Sequence, residues 1–211
     1  MTTTVKDITT GDVSIAGTTG LVTGANLRTP IGARRVEFFR PGDLVVTRDN
    51  GLQPVRMIWT KTVTAAEMAA DPSLAPITLA QRAIGPMMPQ KQVSIGGAHR
   101  LLVPGWRLDD VEDTENCLVP ARDLEGLGEK TDFGEEDITY YNIVFETPQV
   151  FCANGLPIES FSPCSEILKI VPKKVCEDLR TTFPDLSPKL DDYPAPQYKM
   201  RERVSYTPTY A

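Results

Sequence analysis

The chain has 211 residues, with 22 Lys and Arg against 28 Asp and Glu, and its net charge of −6 leaves no cationic field to gather phosphates or anionic lipid headgroups. Nucleic acid and membrane surfaces are therefore not expected partners. A 41% hydrophobic fraction is globular, and 18 prolines with 15 glycines spread along one core-sized chain favour turns and short strands over long helices.

The first segment, Met1 to Gly20, is rich in Thr and Gly and has neither a basic n-region nor an apolar h-region, so it reads as an extended arm and not as a signal peptide. Nowhere is there a run of about 18 apolar residues that would span a membrane. Regular patterning begins near Leu21. Leu21-Val22-Thr23-Gly24-Ala25-Asn26 has the look of a strand entering a pyrophosphate-binding turn. Its continuation, Leu27-Arg28-Thr29-Pro30-Ile31-Gly32, lacks the close glycines such a turn needs, and Pro30 interrupts the helix that should follow. No Tyr-x-x-x-Lys pair lies downstream, so a nicotinamide enzyme is not expected.

Arg34 to Phe39 leads to the turn Arg40-Pro41-Gly42-Asp43, then to Leu44-Val45-Val46, Asp49-Asn50-Gly51 and Val55 to Trp59. Asn-Gly between two apolar runs predicts a hairpin, because both turn positions tolerate positive φ. Further short strands are expected at Val93-Ser94-Ile95, Leu101-Leu102-Val103, Cys117-Leu118-Val119, Ile138 to Phe145 and Gln149 to Ala153. The last of these enters a second hairpin at Asn154-Gly155, with Leu156 to Phe161 as its partner.

Pro120 to Leu124 reads as a single helical turn at most. Pro172 to Phe183 reads as a true helix, with proline at its first position and Val175, Leu179 and Phe183 spaced by four. Pro184 to Ala211, rich in proline and tyrosine, has no periodicity and reads as a second arm that needs a surface to lie on. The expectation is an all-β fold: an extended arm over residues 1–19, a curved β body over 20–165, and a short helix with a Pro/Tyr-rich arm over 166–211.

The four cysteines, Cys117, Cys152, Cys164 and Cys176, show no CxxC spacing, and the single histidine, His99, completes no standard zinc pattern with them. Free, reduced and mostly buried thiols are expected, with no metal and no cofactor. The absence of a secretory signal points to a reducing, cytoplasmic compartment.

Several segments in order resemble the bacterial Hint (hedgehog/intein) family. They are Gly24 with Thr29-Pro30-Ile31-Gly32, Val36-Glu37, Arg40-Pro41-Gly42-Asp43-Leu44-Val45, and Thr47 through Arg56. They continue with His99-Arg100-Leu101-Leu102, Leu118-Val119-Pro120-Ala121, Ala153-Asn154-Gly155-Leu156-Pro157, Glu159-Ser160-Phe161 and Phe183-Pro184-Asp185-Leu186. The chain looks like a degenerate member that lacks the catalytic cysteine. The resemblance implies an intein-like curved β body, together with a reaction whose groups can be checked one by one.

Hint self-cleavage starts when a Cys or Ser side chain at the first position of the domain attacks the carbonyl just upstream. The resemblance places Gly20 there, which has no side chain to attack with. Thr18 and Thr19 are the neighbouring hydroxyls, poor nucleophiles without a well-placed base. The family's Thr-x-x-His pair, whose histidine protonates the departing amide nitrogen, becomes Gly96 and His99. A third family histidine, on the strand at Tyr140-Tyr141, is Asn142, and the Asp-Arg-His that follows is Glu146-Thr147-Pro148; Glu146 is expected to be a solvated loop residue. His99 is expected to be hydrogen-bonded beside a strand.

With those groups missing together, the first expectation is a non-catalytic structural or protein-interaction module whose two arms lie along other protein subunits, as in a phage or phage-like particle. The second is an autoprocessing domain acting near Thr19/Gly20. The third is a small-ligand site in the old cleft, lined by His99, Asn142 and Trp106, although Trp106 is expected to cover a core edge.

Overall fold

The structure, a computed structural model, describes residues 18–108, 115–125, 129–130, 136–163, 171–186, 192–201 and 204–205. The N-terminal arm up to residue 17, Cys164 and parts of the C-terminal arm lie outside the described residues. In chain order the elements are β1 (Leu21–Val22), β2 (Asn26–Thr29), β3 (Gly32–Arg35), β4 (Leu44–Val46), β5 (Leu52–Pro54), β6 (Met57–Val63), α1 (Ala65–Ala70), β7 (Pro76–Leu79), β8 (Val93–Gly96) and β9 (Arg100–Val103). They continue with β10 (Cys117–Pro120), β11 (Leu124–Glu125), β12 (Glu129–Lys130), β13 (Ile138–Val144), β14 (Val150–Ala153), β15 (Leu156–Glu159), α2 (Lys173–Thr182), β16 (Lys199–Met200) and β17 (Val204–Ser205).

Two large sheets make the body, and the all-β expectation holds. One runs β12-β7-β8-β1-β13-β6 and the other β16-β10-β9-β15-β14-β2-β3. Apolar residues at alternate positions of both sheets meet in one core that includes Leu21, Leu27, Ile95, Leu101, Phe145, Phe151 and Ile158. Phe145 and Phe151 pack edge to face with centroids 5.8 Å apart.

The Asn154-Gly155 hairpin forms as the turn chemistry predicts. Asn154 and Gly155 both take positive φ, 49° and 82°, and Val150↔Glu159 through Ala153↔Leu156 pair in register. The first hairpin differs in partner. Leu44–Val46 pairs with Leu52–Pro54, whereas most of Val55 to Trp59, expected to close that hairpin, lies in the strand Met57–Val63, which pairs with β13 over seven residues. The change of partner comes after Val55: Val55 N–H still donates to the Asp43 carbonyl at 2.9 Å, whereas Arg56 N–H donates to the Val144 carbonyl at 2.8 Å. The segment Arg34 to Phe39 is likewise split between β3 and a 3-10 turn at Val36–Phe38.

The Leu21–Asn26 loop is not built as a strand-to-helix turn. Gly24 N–H donates to Glu37 Oε2 at 3.0 Å and a strand follows instead of a helix, so a carboxylate of the chain itself occupies the turn. Helix α1 was not expected, although its signature is local: Thr64 and Glu67 form a capping box in which Thr64 Oγ1 accepts from Glu67 N–H and Glu67 Oε2 accepts from Thr64 N–H.

Helix α2 lies where the spacing put it, with Pro172 as its N-cap residue. Val175 and Leu179 pack with Trp59, Val144 and Phe161. The described parts of the segment after it lie against the chain itself. Tyr193 packs edge to face on Phe183 and donates its hydroxyl to the Phe145 carbonyl at 3.0 Å, β16 adds in parallel to β10, and β17 adds in parallel to β11. Removing that hydroxyl in Tyr193→Phe leaves a buried carbonyl short of a donor. It should lower stability by about 1–2 kcal/mol, read as a shifted urea midpoint with unchanged slope.

Among the described cysteines, Cys117 and Cys176 are buried and Cys152 is half-buried.

Candidate functional site

The positions singled out from the sequence come together because β1 is held between β8 and β13. Leu21 stands opposite Ile95 on one side and Tyr141 on the other. This forces the residue before β1, Gly20, against the last residue of β8, Gly96, and against Asn142 of β13. A tight turn after Gly96, in which His99 N–H donates to the Gly96 carbonyl at 2.9 Å, swings the imidazole back over the same point.

The contacts are specific. Gly20 N–H donates to His99 Nδ1 at 3.1 Å, and Gly96 N–H donates to the Gly20 carbonyl at 2.9 Å. Thr19 Oγ1 donates to Asn142 Oδ1 at 3.0 Å, while Asn142 Nδ2 donates to the Thr19 carbonyl at 3.3 Å. Asn142 is fully buried, and this two-way bond satisfies it. Ala98 N–H donates to the Thr18 carbonyl at 2.9 Å, and the Thr18 hydroxyl bonds the Leu74 carbonyl at 3.3 Å.

Each glycine is required where it stands. Gly20 has φ +111°, and a Cβ there would lie 2.9 Å from both Asn142 Nδ2 and the Tyr141 carbonyl oxygen. At Gly96 a Cβ would lie 2.3 Å from the Thr18 carbonyl oxygen. The space beside Gly20 and Gly96 is filled by the upstream peptide and by the Asn142 amide. Sequence reasoning identified the four positions but not this interlock, which joins residues more than a hundred apart and leaves no local signal.

The chemistry of the site follows from the imidazole. Because Nδ1 accepts from Gly20 N–H, the ring proton sits on the buried Nε2, on the side of the Glu159 backbone. Burial, helped by the neighbouring Arg100 cation and opposed by the Glu159 backbone, brings the His99 pKa down from 6.5 to about 4. Arg100 itself is paired with Glu159 at 2.8 Å. At neutral pH His99 holds the Thr19–Gly20 amide through a lone pair and has no proton to give its nitrogen. The Thr18 hydroxyl bonds the Leu74 carbonyl beside the Tyr140 phenol, and the Thr19 hydroxyl bonds the Asn142 amide oxygen.

Glu146 is an exposed loop residue paired with Arg56, as expected. Trp106 corrects the expectation of a core edge. It is 61% exposed, with the Arg107 guanidinium 4.5 Å from its ring centroid. The expected ligand cleft around His99 and Asn142 is occupied by Thr18 and Thr19.

No curated protein matches the chain. It is similar to the crystal structure of the MchDnaB-1 intein, at 12% identity and a TM-score of 0.43 over 65% of this chain and 98% of that one. It is also similar to the solution structure of a bacterial intein-like domain from Clostridium thermocellum, at 11% identity and a TM-score of 0.41 over 68% and 99%. A third likeness is the crystal structure of the gp41-1 intein, at 13% identity and a TM-score of 0.39 over 68% and 98%. The family model described as Hint domain matches residues 19–165. This chain belongs to the Hint domain family.

Proposed function

We propose that this Hint-family chain is a non-catalytic structural or protein-interaction module. The observation that carries the reading is Gly20. The residue at the nucleophile position has no side chain, and its backbone conformation and the Asn142 amide leave no room for one. The histidine beside it is neutral and already committed as an acceptor. An interaction role is supported by the outward side of the β4–β5 ribbon, where Leu44 and Leu52 are 42% and 47% exposed, and by Ile31 at 97% on the β2–β3 turn. The partners proposed are other protein subunits of an intracellular assembly, such as a phage or phage-like particle, with neither nucleic acid nor membrane among them.

The test is the intact mass of freshly expressed protein, followed for a day with and without dithiothreitol. A constant mass is expected in both, and loss of a fragment ending near Thr19 or Gly20 overturns the reading. Gly20→Cys should stay uncleaved as well, because its Cβ meets Asn142 and Tyr141 and the backbone must leave a strained φ, at a cost of about 1–3 kcal/mol.

One observation favours a second reading, autoprocessing near Thr19/Gly20: His99 still contacts the amide nitrogen of that bond. Under it, His99→Gln abolishes fragment release. Under the proposed reading there is no release to abolish.

A further inference from the structure

A separate cleft of about 740 Å³ opens on the other large sheet, where β2 and β14 meet. Leu27 and Ala153 are paired there and both point into the core at 0% exposure. Strand alternation therefore turns their neighbours Asn26, Arg28, Cys152 and Asn154 outward. The far wall is the Gln90–Lys91 segment, pinned by backbone bonds from both residues to the Asn154 carbonyl, 2.8 and 3.3 Å. The floor is stiff, because Asn154 Oδ1 accepts from Asn26 N–H and Nδ2 at 2.9 and 3.2 Å while Asn154 Nδ2 donates to the Gln92 carbonyl.

The charge of this cleft runs against that of the chain. In a protein of net charge −6, Arg28 and Lys91 both line it, and none of the described lining residues is a carboxylate. Neither cation forms an ion pair with a described carboxylate, although the chain carries 28 acidic residues. The volume lies within the range of small-ligand sites, roughly 300–1,000 Å³. A guanidinium fork and an ammonium in one cleft match two anionic groups on one small molecule.

We propose that this cleft binds a compact organic dianion, with one carboxylate or phosphoryl group on Arg28 and the other on Lys91. The site does not depend on the fate of the Thr19–Gly20 bond, since none of these residues is hydrogen-bonded to Gly20 or His99. Cys152 sits in the wall as a reporter. Burial holds its thiol above the usual range, against the pull of Arg48 and Arg28, so it alkylates slowly and as a bystander.

The experiment follows N-ethylmaleimide labelling of Cys152 in the full chain by peptide mass, which separates it from the other three cysteines, at constant ionic strength. Succinate or inorganic phosphate is titrated as probe. Saturable, several-fold slowing by either supports the proposal, and the more effective of the two assigns the headgroup as carboxylate or phosphoryl. The slowing should vanish in Arg28→Gln/Lys91→Gln and weaken in Lys91→Gln alone, both exposed substitutions checked by an unchanged thermal midpoint. No slowing in the natural chain by either anion, or equal slowing in the double variant, overturns it.

Discussion

Gly96→Thr, which restores the side chain the family carries three residues before its histidine, should destabilise the protein by about 3 kcal/mol and restore no cleavage. The new Cβ would lie 2.3 Å from the Thr18 carbonyl oxygen and 2.6 Å from its carbon, so the obstacle is backbone and no flexible side chain can move aside. Overpacking of a built interior typically costs about 1–3 kcal/mol, and a backbone clash belongs at the upper end. Relief requires Thr18 and Thr19 to leave. That breaks the Ala98-to-Thr18 bond and strands the buried Asn142 amide without Thr19. In a chain of this size the thermal midpoint should fall by roughly 6–12 °C. Unchanged stability would mean that the N-terminal junction is not packed against β8 as described.

The second large effect is on acid stability. His99 is neutral in the fold, its pKa held near 4 by burial, whereas in the unfolded chain it titrates near 6.5. Between those values the unfolded state binds a proton that the folded state refuses, so stability falls as pH drops from about 6.5 towards about 4 and this contribution levels off below. The displacement corresponds to about 3 kcal/mol. Carboxylates add their own titration in the same range, so the measurement is a comparison. His99→Gln keeps an acceptor for Gly20 N–H and should lose about one proton from the slope of unfolding free energy against pH across that window. An identical slope in both proteins would place the imidazole in contact with water.

The parts of this fold visible in the sequence are those governed by neighbours along the chain. Asn154-Gly155 announced its hairpin because two consecutive positive φ values are cheap there. Pro172 with Val175, Leu179 and Phe183 announced α2 by period. Helix α1 was equally local, with Thr64 and Glu67 at capping-box spacing, but six residues rich in alanine carry too little apolar pattern to stand out. The partner of β4 was misjudged because the Asn-Gly signal specifies a turn and not which downstream strand completes it. At the site, the resemblance located Gly20, Gly96, His99 and Asn142, and physics alone would not have: the Thr19–Asn142 bond spans 123 residues. The cleft at Arg28 and Lys91 was illegible for the same reason, since its walls come from three separated segments.

The parallel addition of Lys199–Met200 to Cys117–Pro120 has a bearing on how the protein is made. The strand that covers this edge emerges from a ribosome well after the edge itself, so each nascent copy passes through an interval in which Cys117–Pro120 is a bare, apolar template with free backbone donors and acceptors. Shortening the chain after Leu186 would make that interval permanent, and the product should self-associate through that edge in proportion to its concentration.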